Sequence, residues 1–279
     1  ARGAAPPPAL VLLAIVSVQV GAALAKQLFP VAGPGGVVAM RLVFAALLLL
    51  ALWRPTLRFR GRAGRRGLLA ILAFGTVTAA MNISIYESFS RIPLGIAVTI
   101  EFLGPLAVAL FGSRRPLDVA WAVLAAAGVL LLTGGRGDGG VEPLGVLFAL
   151  CAAACWAAYI LLSAVVGSRT QGGGGLALAM VWGALLVAPF GAADAGVKLL
   201  DPPVLLVGLV VALLSSVVPY SLELEALRRI PPRVFGVLMS LEPAVAAVAG
   251  LVILGEYLGA VQWLAIACVV VASAGATRW

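Results

Sequence analysis

Long apolar segments follow one another along almost the whole chain, and this feature restricts the fold more than any other. Each segment has about 20 residues, the length of helix that crosses the hydrocarbon core of a bilayer. Breaks rich in proline and glycine separate them, as in FPVAGPGG (29–36) and TQGGGG (170–175). The chain of 279 residues is 63% hydrophobic and only 11% charged, whereas a soluble protein carries roughly 25% charged residues. The sequence therefore predicts an all-α polytopic membrane protein.

We predict ten transmembrane helices with short connections. Their approximate bounds are 9–29, 37–53, 67–89, 93–112, 117–133, 143–166, 174–190, 203–227, 232–254 and 258–277. In this arrangement no connection exceeds about thirteen residues. An appended soluble domain, which a receptor would need, is therefore not expected.

The basic residues orient these helices in the membrane. Of the nineteen Lys and Arg residues, fourteen fall on one side of the predicted arrangement, and their positions are 2, 54, 58, 60, 62, 65, 66, 114, 115, 169, 228, 229, 233 and 278. Only Arg91, Arg136 and Lys198 fall on the other side, while Lys26 and Arg41 lie within spans. Because basic residues concentrate in cytoplasmic loops, both termini are predicted to be cytoplasmic.

Composition excludes several classes of function. The chain has no histidine and three cysteines, so Ser-His-Asp catalysis, histidine-ligated metals and histidine proton relays are not expected. Cys151 and Cys155 share a helix face among small apolar neighbours and are interpreted as packing residues, not metal ligands. The net charge of +8 fits the cytoplasmic loops of a membrane protein, and no basic stripe with aromatics points to nucleic acid.

The chain nearly repeats itself at an offset of 138 residues. ESFSRIPLGIAVTIEFLGPLAV (87–108) aligns with EALRRIPPRVFGVLMSLEPAVA (225–246), so that the Arg-Ile-Pro triplets coincide and Pro105 falls on Pro243. We therefore predict two five-helix repeats, residues 1–137 and 138–279. Because five is odd, the second copy is inverted in the membrane, as in many secondary transporters. AALAK (22–26) resembles a signal-peptidase site, but removing the first helix would spoil this count.

Two glutamates lie near the middle of their predicted spans. Glu101 is nine residues past Ile92 and Glu242 is twelve past Ile230, which places both roughly 13–18 Å deep at 1.5 Å per residue. Charged groups at this depth usually face a cavity or a partner. Either glutamate could hold a substrate ammonium group or carry a proton. Either could instead be structural, and Glu242 could serve the local helix break at Pro243.

The remaining charged residues within the spans have two interpretations each. Lys26 and Arg41 could bind a substrate carboxylate, or their side chains could extend to the outer interface. The carboxylates of Glu87, Glu223 and Glu225 lie near the ends of spans, where they could reach interfacial water or pair with Arg91 or Arg228.

Several polar and aromatic residues are further candidates for a cavity lining. Asn82 and Tyr86 share one helix face, as do Trp156 and Tyr159, and Tyr220 corresponds to Asn82 at the repeat offset of 138. Aromatic and amide groups suit a cavity for a small polar solute. Aromatics at the membrane interface are the alternative, although Trp156 lies deep within its span.

At this point the chain resembles a known family. The stretch RIPLGIAVTIEFLGPLAVALFGSRRP (91–116), with ten spans and a duplication, is similar to the drug/metabolite transporter superfamily, EamA type. GAALAKQLFP (21–30), ACWAAYIL (154–161), VPYSLELEAL (218–227) and FGVLMSLEPAVAAVAG (235–250) resemble bacterial threonine/homoserine exporters. The resemblance implies efflux of small neutral amino acids from the cytoplasm across a bacterial inner membrane, driven by proton entry.

The predicted function is thus proton-coupled amino-acid export by alternating access. The candidate substrate-binding or proton-coupling residues are Glu101, Glu242, Asn82, Tyr86, Trp156, Tyr159, Tyr220 and Lys26. We expect no cofactor, metal or nucleic acid, and a monomer or homodimer whose partners are the amino acid, protons and membrane lipids. The alternative cargo is an aromatic amino acid, a purine or a xenobiotic. A membrane-embedded enzyme or receptor is disfavoured, since clustered catalytic groups are missing from the sequence.

Overall fold

The computed structural model describes residues 6–53, 61–111, 116–133, 141–169 and 174–277. The helices are α1 (Pro7–Leu52), α2 (Gly61–Phe89), α3 (Leu94–Glu101), α4 (Leu103–Phe111), α5 (Pro116–Thr133), α6 (Pro143–Arg169), α7 (Gly174–Ala195), α8 (Pro202–Ala212), α9 (Val218–Leu227), α10 (Pro232–Met239), α11 (Glu242–Ala249) and α12 (Ala260–Thr277). A 3₁₀ turn (Gly196–Leu200) and two π-helical turns (Leu213–Val217 and Gly250–Leu254) connect some of them. The arginines at 2, 54, 58, 60, 114, 115, 136 and 278, used for the predicted orientation, lie outside the described residues.

The described part of the chain is helical throughout and contains eight helices or helix pairs long and apolar enough to cross a membrane. A shorter apolar helix covers Leu117–Leu132 in α5. Large apolar side chains face outward, among them Phe111 at 92% exposure and Leu130 at 69%. An apolar exterior of this kind is matched by lipid and not by water. The all-helical membrane fold is therefore confirmed, while the count of ten inverted helices stays a prediction.

The first two predicted spans lie within the single element α1, which is broken at Gly33. This glycine has φ 64° and ψ 164°, a conformation that residues with a Cβ rarely adopt. Pro30 and Pro34 flank the break, which frees the first N–H groups of the second half. The Asp194 carboxylate, at the end of α7, accepts a hydrogen bond from Gly35 N at 2.7 Å. A carboxylate at this position stabilises a helix N-terminus.

Two predicted spans, 93–112 and 232–254, are each divided in the structure, whereas a local break was considered only at Pro243. The helix α3 ends at Glu101 and α10 ends at Met239. Glu101 lies four positions before Pro105, and Met239 lies four positions before Pro243. Because proline lacks an N–H, the carbonyl four residues earlier loses its partner and the helix breaks there. Glu101 thus closes α3, and Glu242 opens α11.

The π-helical turns offer backbone carbonyls to side chains of α1. Ser17 Oγ donates to Leu214 O at 2.7 Å, and Gln27 Nε2 donates to Ile253 O at 3.1 Å. Such turns are rare inside helices and occur often at functional sites. The two hydrogen bonds also join the first predicted repeat to the second.

The helix α1 lies at the centre of the packing. It contacts α2, α7, α8, α9 and α11, while α2 packs on α6 and α5 packs on α12. Small residues allow the helices to approach closely. A Cβ added to Gly95 of α3 would lie 2.6 Å from Cα of Ala247 in α11, so the two divided spans touch backbone to backbone.

Candidate functional site

A cavity of about 280 Å³ lies among α1, α2, α3, α6, α9, α10 and α11. This volume is near the lower end of the range for small-molecule sites, roughly 300–1,000 Å³. Its lining comes from both predicted repeats. The described lining residues therefore enclose a space suited to a small metabolite.

Six of the eight predicted site residues line this single cavity. They are Asn82, Tyr86, Glu101, Trp156, Tyr159 and Glu242. Tyr220 lies in α9, and its side chain is outside the described residues, although its neighbours Pro219 and Glu223 line the cavity. Lys26 is not among the lining residues.

Arg41 projects into the cavity from the second half of α1. Its Nη1 donates to the Tyr86 hydroxyl at 3.2 Å, and its Nη2 donates to Ser215 O in the first π-helical turn at 3.4 Å. The guanidinium carbon lies 5.7 Å from the centroid of the Tyr86 ring, within the range of a cation–π contact. These contacts fix a planar cationic group where it can meet a ligand carboxylate.

The side-chain amide of Gln19, in α1, binds Glu242. Gln19 Nε2 donates to Glu242 Oε1 at 3.0 Å, and the two residues are only 2% and 8% exposed. The contact joins residues 223 positions apart. It ties the N-terminal half of α1 to the start of α11.

The cavity holds more acidic than basic groups. Its described lining contains Glu101, Glu223 and Glu242 but a single cationic side chain, Arg41. Within a membrane an uncompensated carboxylate is costly. A cationic ligand or a proton in the cavity would offset this charge.

Aromatic rings form one wall of the cavity. Trp156 meets Phe102 edge to face, with ring centroids 5.5 Å apart, and Tyr159 packs on Phe74 at 4.7 Å. The first pair is edge to face and the second is tilted, and both separations lie in the range of favourable aromatic contacts. Trp156 and Tyr159 thus belong to a packed wall and not to a membrane-interface belt.

Lys26 forms an ion pair beside the cavity instead of lining it. Its Nζ lies 2.6 Å from Glu256 Oε1 and donates to Ile92 O at 2.8 Å. Glu256 Oε2 accepts from Leu94 N at 2.7 Å and so caps α3. Lys26 is seven residues past Gln19, or about 10 Å further along the helix. The pair joins α1, the start of α3 and the 255–259 connection.

Four polar or charged lining residues were missed or left undecided by the sequence reasoning. Gln19 and Ser215 were not considered, Glu223 was placed at an interface, and Arg41 had two interpretations. A lone polar residue in an apolar span was the available signal for Gln19 and Arg41. Elsewhere the expected pairing is present, since Glu87 pairs with Arg91 and Glu225 pairs with Arg228 and Arg229.

Comparison with known proteins supports the predicted function of a transporter. The threonine/homoserine exporter RhtA of Escherichia coli (strain K12) is 46% identical over 97% of this chain and 91% of its own length. The protein of that name from Salmonella typhimurium (strain LT2) matches to the same extent. These relatives are named exporters and not enzymes, which confirms the prediction of a transporter.

A solved crystal structure has the same fold. It superposes with a TM-score of 0.59 at 21% identity and covers 95% of both chains. Residues 143–278 match the EamA-like transporter family. With near full-length relatives at 46% identity, the chain belongs to the EamA-like transporter family.

Proposed function

We propose that this protein exports small neutral amino acids, such as threonine and homoserine, in exchange for protons. The observation that carries the proposal is a single cavity in which Arg41 and the carboxylates of Glu101 and Glu242 come together. A zwitterion presents one group to each kind of charge. The name of the relatives supports this choice of cargo.

Proton exchange follows from competition between a proton and the substrate ammonium group to neutralise the negative charge that the cavity carboxylates share. A carboxylate within a membrane is neutralised either by a proton or by a substrate ammonium group. If a proton displaces the ammonium group when the cavity faces outward, substrate leaves and a proton enters. Export is then driven by the proton gradient.

Alternating access in many transporters is the movement of two inverted repeats against each other, and the helix count is compatible with such repeats. A straight helix of 46 residues, as in α1, would be about 69 Å long, while the hydrocarbon core is about 30 Å thick. We therefore count α1 as two spans divided at Gly33 and α5 as a further span. This arrangement gives ten spans in repeats 1–137 and 138–279, with both termini in the cytoplasm of a bacterial cell.

We propose that the transport unit is one chain embedded in lipid, because the two predicted repeats of a single chain together line the cavity. This holds for a monomer and for a homodimer. The Lys26–Glu256 pair would close the outer side of the cavity and would separate when substrate is released.

Reconstituted proteoliposomes test the function directly. We expect counterflow of radiolabelled threonine and homoserine, and efflux of threonine that an imposed pH gradient accelerates. A panel with phenylalanine, adenine and a lipophilic cation tests the alternative cargo. Transport of those compounds without transport of threonine would overturn the choice of substrate.

Glu101→Gln tests the role of the cavity carboxylate. The amide neither binds a proton nor attracts an ammonium group, so we expect loss of gradient-driven threonine efflux. Glu225→Gln is the matched control, since Glu225 pairs with Arg228 and Arg229 outside the cavity. Normal gradient-driven efflux by Glu101→Gln would contradict the proposal.

A further inference from the structure

One hydrogen bond in the cavity leaves two acceptor oxygens without a donor. Gln19 Nε2 donates to Glu242 Oε1 at 3.0 Å. The other oxygens of the same two groups, Gln19 Oε1 and Glu242 Oε2, are buried and have no hydrogen-bond partner within the described residues. Unpaired buried acceptors destabilise a structure and call for an explanation.

A single proton would satisfy both oxygens. A protonated carboxyl group has one O–H donor, and a primary amide has both N–H donors and an acceptor oxygen. An acid and an amide can therefore form two hydrogen bonds with each other, one in each direction. The bond from the amide to the acid is already present. A proton on Glu242 Oε2 supplies the donor for the second bond, to Gln19 Oε1.

The surroundings of Glu242 also favour a proton there. The charged groups that face it are Glu101 from α3, Glu223 from α9 and Arg41 from α1. Lys26 of α1 is paired with Glu256. The other elements packed against α11 are α12 and the second π-helical turn, and their sequences contain no Asp, Glu, Lys or Arg. Protonation thus removes one of three neighbouring negative charges.

Glu101 is placed differently. Its side chain is half-buried, lines the cavity, and accepts no hydrogen bond from the described residues. It is therefore available to a ligand with several N–H donors, such as an ammonium group.

We propose that the two carboxyl groups divide the work: Glu242 carries the proton, with Gln19 as its positioning residue, and Glu101 receives the ammonium group. This inference rests on the proposed function. Water on the outer side donates the proton to Glu242 Oε2, and the second hydrogen bond of the acid–amide pair then forms. On the cytoplasmic side the proton returns to water, and one hydrogen bond remains. Proton loading thereby strengthens the contact between α1 and α11.

Infrared difference spectroscopy tests the location of the proton on the full chain in liposomes. A pH step should produce the C=O band of a protonated carboxyl group in the unaltered protein. Glu242→Gln should lose this band, while Glu101→Gln should keep it. Persistence of the band in Glu242→Gln, or its loss only in Glu101→Gln, would overturn the assignment.

The same band reports on Gln19. In Gln19→Leu the carboxyl C=O loses its N–H donor, so the band should move to higher frequency. An unchanged band would contradict the positioning role. Glu242→Gln conserves volume and can still pair with Gln19, and monodisperse elution of each purified variant verifies folding.

A transport measurement separates this inference from the proposed function. The readout is the factor by which an imposed pH gradient stimulates threonine efflux. We expect this factor to fall to one in Glu242→Gln and to keep its normal value in the Glu225→Gln control. Gradient stimulation retained by Glu242→Gln would overturn the inference alone. Failure of the unaltered protein to move threonine would overturn the proposed cargo but would leave the infrared assignment intact.

Discussion

Arg41 shows how much a single side chain can decide within an apolar helix. It is the one cationic side chain among the described lining residues of the cavity, and Tyr86 and Ser215 fix its orientation. Its position suits a ligand with a carboxylate. The pattern of residues alone allowed either a binding role or an interfacial one, because the direction of a side chain depends on neighbours far away in the chain.

Arg41→Gln should weaken amino-acid transport through loss of the carboxylate contact. A hydrogen bond to a charged group contributes about 1.5–3 kcal/mol, so the apparent affinity for threonine should fall about ten- to hundredfold. Counterflow over a range of threonine concentrations measures the change. Arg228→Gln is the control, since the side chain of Arg228 is 67% exposed. Unchanged affinity in Arg41→Gln would remove Arg41 from the binding site.

Gln19 illustrates what sequence reasoning could not reach at the residue scale. Its partner lies 223 positions away, and nothing in the local pattern connects them. Glu101 and Glu242, in contrast, were identifiable because a charge in an apolar span is costly wherever it lies.

At the scale of elements, the two divided spans contribute Glu101 and Glu242 to the cavity. Prolines 105 and 243 were visible in the sequence, and the local break at Pro243 was considered. The end of α3 at Glu101 was not considered, because proline in a membrane helix is often accommodated by its neighbours. Because the helices are interrupted there, both glutamates lie next to backbone groups that proline leaves without a helical hydrogen bond.

Close approach of α3 and α11 should make Gly95 intolerant of substitution. In Gly95→Ala the new Cβ would lie 2.6 Å from the Ala247 backbone, and overpacking of this kind costs typically about 1–3 kcal/mol. Thermal unfolding of the purified protein in detergent should show a lower midpoint. Gly67→Ala is the matched control, because no atom lies within 4 Å of a Cβ there. Equal midpoints for the two variants would mean that the helices pack less tightly.

The Lys26–Glu256 pair should behave as a coupled link between elements. Each of Lys26→Met and Glu256→Gln leaves a partly buried partner, at 20% and 15% side-chain exposure in the intact pair. The double variant should therefore be less destabilised than the sum of the singles, by about 0.5–3 kcal/mol. Unfolding measurements on the four proteins give this coupling energy. Additive effects would show that the pair contributes no net link.

At the scale of the whole molecule, the all-helical membrane fold was predictable from composition and segment length. The proposed inversion of the two repeats rests on the charge pattern and the offset of 138 residues. The break at Gly33 lies within FPVAGPGG (29–36), the segment that the sequence indicated as the break between the first two spans.

Corresponding positions in the two repeats should lie on opposite faces of the membrane. Ser90 and Arg228 are related by the offset of 138, and both are exposed. In a background without the native cysteines, a membrane-impermeant maleimide added outside should label Ser90→Cys and spare Arg228→Cys. Arg228→Cys should react only after permeabilisation. Labelling of both from the same side would exclude the inverted arrangement.

The contact between Gln19 and Glu242 also has a consequence for biogenesis. Its partners are separated by 223 residues, and ribosomes add about 5–20 residues per second. Gln19 therefore waits about 10–45 seconds for its partner during synthesis. Throughout that interval the first half of the chain holds Gln19, Arg41 and Glu101 in the membrane without the second half. A nascent chain stalled before α11 thus exposes polar groups that membrane quality control can recognise.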